Sequence, residues 1–153
     1  MARAIIIYES KYGNTKRVAE VIAEGMREVP GVEAVLNEVK GVELDKITEF
    51  DAILVGSPNH MGSATKGIRK FIDELGKFSP GVKLGAVFDT YMGRDFEKAV
   101  KKMEKQIVEK VPGLKLAVPG LSVKVEGMKG PISGGELPKS KEFGVKMASQ
   151  LKA

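Results

Sequence analysis

Ala4-Ile5-Ile6-Ile7-Tyr8-Glu9-Ser10-Lys11-Tyr12-Gly13-Asn14-Thr15-Lys16-Arg17-Val18-Ala19 changes its hydrophobic period halfway along. Residues 4–8 are an unbroken apolar run, mostly β-branched, and this suits a strand covered on both faces in a parallel sheet. From Asn14 to Arg27 the apolar positions Val18, Ala19, Ile22, Ala23 and Met26 fall at helical spacing, and Pro30-Gly31 closes the unit. Between the two, Ser10 to Thr15 gathers hydroxyls, a glycine and an asparagine where the first amides of a helix lack partners and the helix dipole is positive. That is the chemistry of a phosphate cradle. Ser10 and Thr15 can donate hydroxyl hydrogens, Gly13 lets the backbone curl close to an anion, and the amides of Lys11, Tyr12, Gly13, Asn14 and Thr15 can point inward. The same residues also suit a plain helix start, with Asn14 or Thr15 as the cap and Gly13 in a tight turn.

The rhythm continues outward. Val32 to Val39 reads as a second strand and Ala52 to Gly56 as a third. Ile68, Phe71, Ile72 and Leu75 predict a helix with Gly76 at its stop. Val82 to Phe88 predicts a fourth strand, and Phe96, Val100, Met103 and Ile107 predict a third amphipathic helix. A fifth strand comes from Leu114 to Val118 or from Leu121 to Val125; Pro119-Gly120 interrupts the pair, and either half can join the sheet. Glu126 to Pro138, rich in Gly and Pro, reads as irregular before a last helix carrying Phe143, Met147 and Leu151. Such alternation calls for right-handed crossovers and an open parallel sheet with helices on both faces, in a single α/β domain over residues 1–153. Ligands of such sheets bind outside the carboxyl ends of the strands, which singles out the turns Glu9 to Thr15, Ser57 to Gly62 and Asp89 to Arg94.

Composition narrows the chemistry. The 153 residues include no cysteine and one histidine, which excludes disulfides, iron–sulfur clusters, thiolate zinc and cysteine nucleophiles, so redox chemistry needs a bound organic cofactor. The 25 Lys and Arg exceed the 20 Asp and Glu, a balance of +5 that attracts anionic cofactors or acidic proteins. The densest basic run, Lys98 to Lys110, also carries Glu104 and Glu109 and reads as a solvated helix face, not a nucleic-acid surface. No apolar stretch nears the roughly 20 residues of a membrane span. Met1 to Glu9 lacks a signal-peptide cleavage pattern, and the expected location is the cytoplasm. No Gly-x-Gly-x-x-Gly follows a strand, and Gly62 to Gly67 has P-loop spacing but Ile68 and Arg69 where Lys and Ser or Thr are required.

Ile6 through Ala19 resembles the flavodoxin phosphate-loop signature. Asp51-Ala52-Ile53-Leu54-Val55-Gly56-Ser57-Pro58-Asn59-His60-Met61-Gly62, followed by Arg69 to Leu75, resembles the third strand, flavin loop and helix of flavodoxin-like domains. The chain is thus similar to short-chain flavodoxins and to the flavodoxin domain of A-type flavoproteins, most densely over residues 4–75. The resemblance implies a flavodoxin-like three-layer sandwich with a five-stranded sheet of order 2-1-3-4-5, noncovalent FMN, and its phosphate in the Ser10 to Thr15 cradle. It places the ring between Ser57-Pro58-Asn59-His60-Met61-Gly62 and Asp89-Thr90-Tyr91-Met92-Gly93-Arg94. His60 and Met61 would cover one side and Gly62 let a peptide reorient, whereas His60 also suits an exposed turn. Tyr91 would stack on the other face. Asp89 departs from the family's glycine-rich loop and also suits a cap for the next helix. Gly127 to Gly135 suits a cover for the ring edge or a surface loop. The implied function is an electron carrier between redox partner proteins, with no catalytic side chain and no metal, and the basic balance points to partners with acidic docking surfaces. An FMN-dependent NAD(P)H:quinone or protoporphyrinogen-type oxidoreductase is the alternative, and a flavodoxin-shaped module without FMN is a third class.

Overall fold

A computed structural model describes residues 1–152. The elements in chain order are β1 (Ala2–Tyr8), α1 (Asn14–Arg27), β2 (Val32–Glu38), α2 (Leu44–Ile47), β3 (Ala52–Pro58), α3 (Lys66–Phe78), β4 (Lys83–Tyr91), α4 (Lys98–Lys110), β5 (Leu114–Leu116), β6 (Leu121–Lys124) and α5 (Glu136–Lys152). Strands pair in parallel in the order β2-β1-β3-β4-β5, with β6 also on β4. This is the sheet order the resemblance implies, and the one-turn α2 is an addition.

Strand alternation splits the interior into two cores. On β1, Ala4, Ile6 and Tyr8 face the α1 and α5 side, while Ile5 and Ile7 face the α3 and α4 side. Ala52 and Leu54 divide from Ile53 and Val55 on β3 in the same way, as do Ala86 and Phe88 from Val87 on β4. Helices therefore cover both faces, which is why these strands read as continuous apolar runs. Each fully buried Ile or Leu contributes about 1.5–3 kcal/mol. Gly56 in β3 admits the Phe88 ring against the backbone: a Cβ there would come within 2.1 Å of it. Gly25 on α1 and Gly144 on α5 bring those helices into backbone contact, since a Cβ at either would sit 2.1 Å from a carbonyl of the other helix.

Several boundaries differ from expectation, each for a tertiary reason. The fifth strand is both halves: β5 pairs with Lys83 to Gly85 and β6 with Phe88 to Tyr91, end to end along one edge of β4. Gly120 at the break lies against α4, where a Cβ would meet Val100 Cγ1 at 2.3 Å. With β3 on one side and β6 on the other, β4 runs on through Asp89, Thr90 and Tyr91, which are strand and not loop. Gly76 does not stop α3; the helix ends at Ser79 with φ 56°, and Gly76 instead admits the Lys110 carbonyl, 2.3 Å from where a Cβ would stand. Phe96 precedes α4 and is exposed, so it is not a core position of that helix. Glu126 to Pro138 is less irregular than its composition suggests. Val125 bridges Ile132, the Glu126 amide donates to the Pro131 carbonyl, and Pro138 already lies in the first turn of α5, where its missing amide costs nothing.

Candidate functional site

The carboxyl ends of β1, β3 and β4 open into a cavity of about 340 Å³ at the point where the strand order reverses. At its β1 side, Gly13 with φ 94° turns the chain into α1. The Ser10 hydroxyl oxygen accepts from the Gly13 amide (3.1 Å) and the Lys16 amide (3.3 Å), leaving its hydrogen free to donate. The amides of Lys11, Tyr12, Asn14 and Thr15 have no acceptor among the described residues. Thr15, 1% exposed, shares a hydroxyl–hydroxyl hydrogen bond of 3.0 Å with Thr90 across the sheet. Four open amides, two further hydroxyl donors and the positive end of a 14-residue helix fit a phosphate group.

The flank beyond β3 is a tight reversal. His60 and Ser63 exchange backbone hydrogen bonds (2.7 and 3.1 Å) around Met61 and Gly62, both at positive φ (55° and 77°). Positive φ at Met61 holds a non-glycine residue in a sparsely populated region and leaves its side chain wholly exposed at the cavity mouth. Asn59 fastens this reversal to the opposite flank: its amide and its Nδ2 both donate to the Thr90 carbonyl (2.9 and 3.1 Å), and its Oδ1 accepts from the Ala99 amide of α4 (3.1 Å). Ser57 points elsewhere. Its hydroxyl accepts from the Thr65 amide (2.9 Å) and donates to the Pro58 carbonyl, and it is fully buried away from the cavity. Thr65 in turn caps α3 and donates its hydroxyl to Glu9.

The third flank is the end of β4. Tyr91 lines the cavity, and Phe96 meets its ring edge-on at 5.4 Å and 64°. Partial burial, then Glu136 and Asp89, push the Tyr91 phenol above its ordinary range, so it stays a neutral, flat surface. Asp89 is buried behind this surface: Oδ1 accepts from Ser122 Oγ (2.6 Å) and Oδ2 from the Val100 amide in the first turn of α4 (2.9 Å). It caps α4 and does not line the cavity, which corrects its placement among residues facing a cofactor. Burial raises its carboxyl to about 6 against the opposing hydrogen bonds of Ser122, Val100 and Asn59, and Glu97 adds to the rise.

Of the residues singled out in the sequence, Ser10, Lys11, Tyr12, Asn14, Thr15, Pro58, Asn59, His60, Met61, Thr90 and Tyr91 line one cavity. Gly13, Gly62 and Gly93 shape its turns, all at positive φ, while Ser57 and Asp89 lie behind it. Met92, Asp95, Val125 and Met128 complete the lining. Met128 arrives on the Val125 to Ile132 hairpin, whose Met128 carbonyl accepts from Asn14 Nδ2 at 3.4 Å; the Gly127 to Gly135 composition was the only signal for it. His60 lines the mouth of the cavity and is exposed there. No cluster of three or more metal-ligating side chains occurs among the described residues. No helix there is long and apolar enough to cross a membrane.

A parallel sheet of this order is the flavodoxin-like doubly wound arrangement, in which ligands sit at the switch point; flavodoxin, with FMN at the β1/β3 switch point, is a standard instance of the rule. A family model described as a flavodoxin domain matches residues 5–118, and the chain belongs to that family, whose cofactor is FMN. A flavodoxin of Aquifex aeolicus (strain VF5) is 35% identical over 49% of this chain and 40% of its own length. An NAD(P)H dehydrogenase (quinone) of Geobacter sulfurreducens is 35% identical over 47% of each chain. The chain thus matches less than half the length of these curated relatives. A solved flavodoxin from the domain Archaea superposes with a TM-score of 0.83 at 30% identity, covering 99% of both chains. The donors at the cradle suit the phosphate of FMN, and the Tyr91, Met61 and Met128 surfaces suit a flat ring.

Proposed function

We propose that the protein is an FMN-dependent electron carrier serving redox partner proteins whose docking surfaces are acidic. In this reading Ser10 to Thr15 bind the FMN phosphate through amides and hydroxyls. Asn59 to Met61 and Thr90 to Met92 hold the ring, and no side chain performs catalysis. When bound, the flavin supplies one- and two-electron chemistry; the chain orients it, covers its faces and sets the local field. The observation that carries the reading is the row of amides without acceptors at the start of α1, opening into the same cavity as Tyr91. A phosphate at a helix start would satisfy those amides, and an aromatic wall is what a flat ring requires.

The acidic-partner part rests on charge. The +5 balance and Lys11 at the cavity favour negatively charged surfaces. A less negative field near the ring also eases its second reduction compared with an acidic relative. Apoprotein mixed with FMN under anaerobic photoreduction tests the cofactor: quenched flavin fluorescence and a stepwise bleaching of the visible bands are expected, and free-flavin behaviour would overturn the reading. Electron transfer to an acidic acceptor protein should slow as salt is raised; a rate indifferent to salt removes the partner assignment.

A second reading, an FMN-dependent NAD(P)H:quinone oxidoreductase, draws on the likeness to the Geobacter sulfurreducens protein. Steady consumption of NADH in the presence of a quinone and the FMN-loaded protein alone would favour it over the carrier.

A further inference from the structure

Asp89 has no part in binding, yet it lies at the junction of every wall that faces the proposed ring. Its neighbour Thr90 lines the cavity and hydrogen-bonds Thr15 of the cradle. The Thr90 carbonyl receives both donors of Asn59, and Asn59 and Asp89 cap successive amides of α4, those of Ala99 and Val100. β3 faces Asp89 with Ser57, its register partner, and β6 faces it with Ser122, and neither side chain is titratable in the ordinary range. Glu97 at the start of α4 is the charged group acting on it, and Tyr91 on its own strand feels it in return. The carboxylate is therefore a single buried negative charge with no cation paired to it among the described residues, behind the proposed flavin cavity. Ser122 is half-buried, and its hydroxyl accepts from the Glu97 amide (2.9 Å) and donates to Asp89 Oδ1 (2.6 Å), which makes it the one side chain hydrogen-bonded to that oxygen among the described residues.

We propose that Asp89 is a redox-linked proton acceptor, taking up a proton from solvent through the Ser122 hydroxyl when the flavin in the adjoining cavity is reduced. The inference rests on the FMN reading above. An electron from a reduced partner protein adds negative charge to the cavity. Two negative charges held close in a poorly hydrated interior repel, and the carboxylate relieves this by binding a proton. Water protonates the Ser122 oxygen as Ser122 passes its own hydrogen to Asp89 Oδ1, so one O–H bond forms on Asp89 and one breaks in water for each proton taken up. A carboxylate buried in β4 behind the cavity thereby acquires a role, which is to make the ease of reduction depend on pH through the protein and not only through the ring. The carboxyl's raised value of about 6 puts the transition within reach of neutral solution.

The test is reduced-minus-oxidised infrared difference spectroscopy of the FMN-loaded protein, paired with redox titration across pH. The parent should show, on reduction, a new C=O stretch of a protonated carboxylic acid that shifts in D2O. Asp89→Asn should lose that band while keeping bound FMN. Its potential for the second reduction should be more positive than the parent's well above pH 6 and coincide with it well below. Ser122→Ala removes a bond that favours the charged form, so the pH-dependent segment should move upward. A variant that loses the band but titrates as the parent does overturns the proposal, as does a parent with normal FMN binding and no Asp89-dependent band. Failure of FMN to bind at all, read separately from flavin fluorescence, would overturn the cofactor reading and this inference with it.

Discussion

The cradle at Ser10 to Thr15 and the wall at Thr90 to Met92, with Asp89 buried behind it, border the same cavity but are built in opposite ways. The cradle is local: strand end, turn and helix start occupy consecutive residues, and its open donors come from the geometry of the first helical turn. The wall is assembled from distance. Asp89 is fixed by Ser122, 33 positions on, and by α4, while Thr90 is fixed by Asn59 and Thr15. One region tolerates change around it as long as α1 starts where it does; the other depends on three strands keeping register.

Breaking the register between them should have the largest effect. Gly56→Val drives a side chain into the Phe88 ring, which approaches within 2.1 Å of a Cβ there, and should cost about 3 kcal/mol in chemical denaturation. A comparable but pH-dependent effect comes from the wall. Because Asp89 titrates at about 6 in the folded protein and near 3.8 when unfolded, the folded state holds this proton more tightly. Its contribution is fully present below pH 3.8 and is lost as the pH rises through about 6, an amount on the order of 3 kcal/mol. Stability of the apoprotein relative to Asp89→Asn, followed across that window, should show this loss; a constant difference between the two would contradict it. In the cradle, Thr15→Ala removes a hydroxyl donor, and with it the partner of the buried Thr90 hydroxyl, and should weaken FMN binding about tenfold, roughly 1.4 kcal/mol. An unchanged dissociation constant would move the phosphate elsewhere. Asn14→Ala, which deletes a 3.4 Å bond to the Met128 carbonyl, should shift stability by only about 0.5 kcal/mol.

The same contrast governs what could be read before any coordinates. The β1 run, the α1 period and the intervening turn are legible because each signal is complete within one helical or strand period. The cradle came with them, and the sheet order with the family resemblance that these residues carry. Asp89 reads two ways from sequence because an acid after Val87-Phe88 fits a loop start or a helix cap, and only the pairing of β6 on the far edge of β4 decides that it is buried strand. Phe96 fits the helical spacing of α4 yet packs on Tyr91 because the helix begins two residues later. Asp95, Val125 and Met128 reach the cavity by tertiary folding that no local period encodes.

The break at Pro119-Gly120 also shapes how the molecule behaves in a crowd. With three residues in β5 and four in β6, that rim of the sheet presents no uninterrupted ladder to a neighbouring chain, and at the other rim the Arg27 guanidinium occupies the Ala34 carbonyl of β2. Both borders are thus poor templates for edge-to-edge growth, a safeguard against fibrillar self-association built into the backbone.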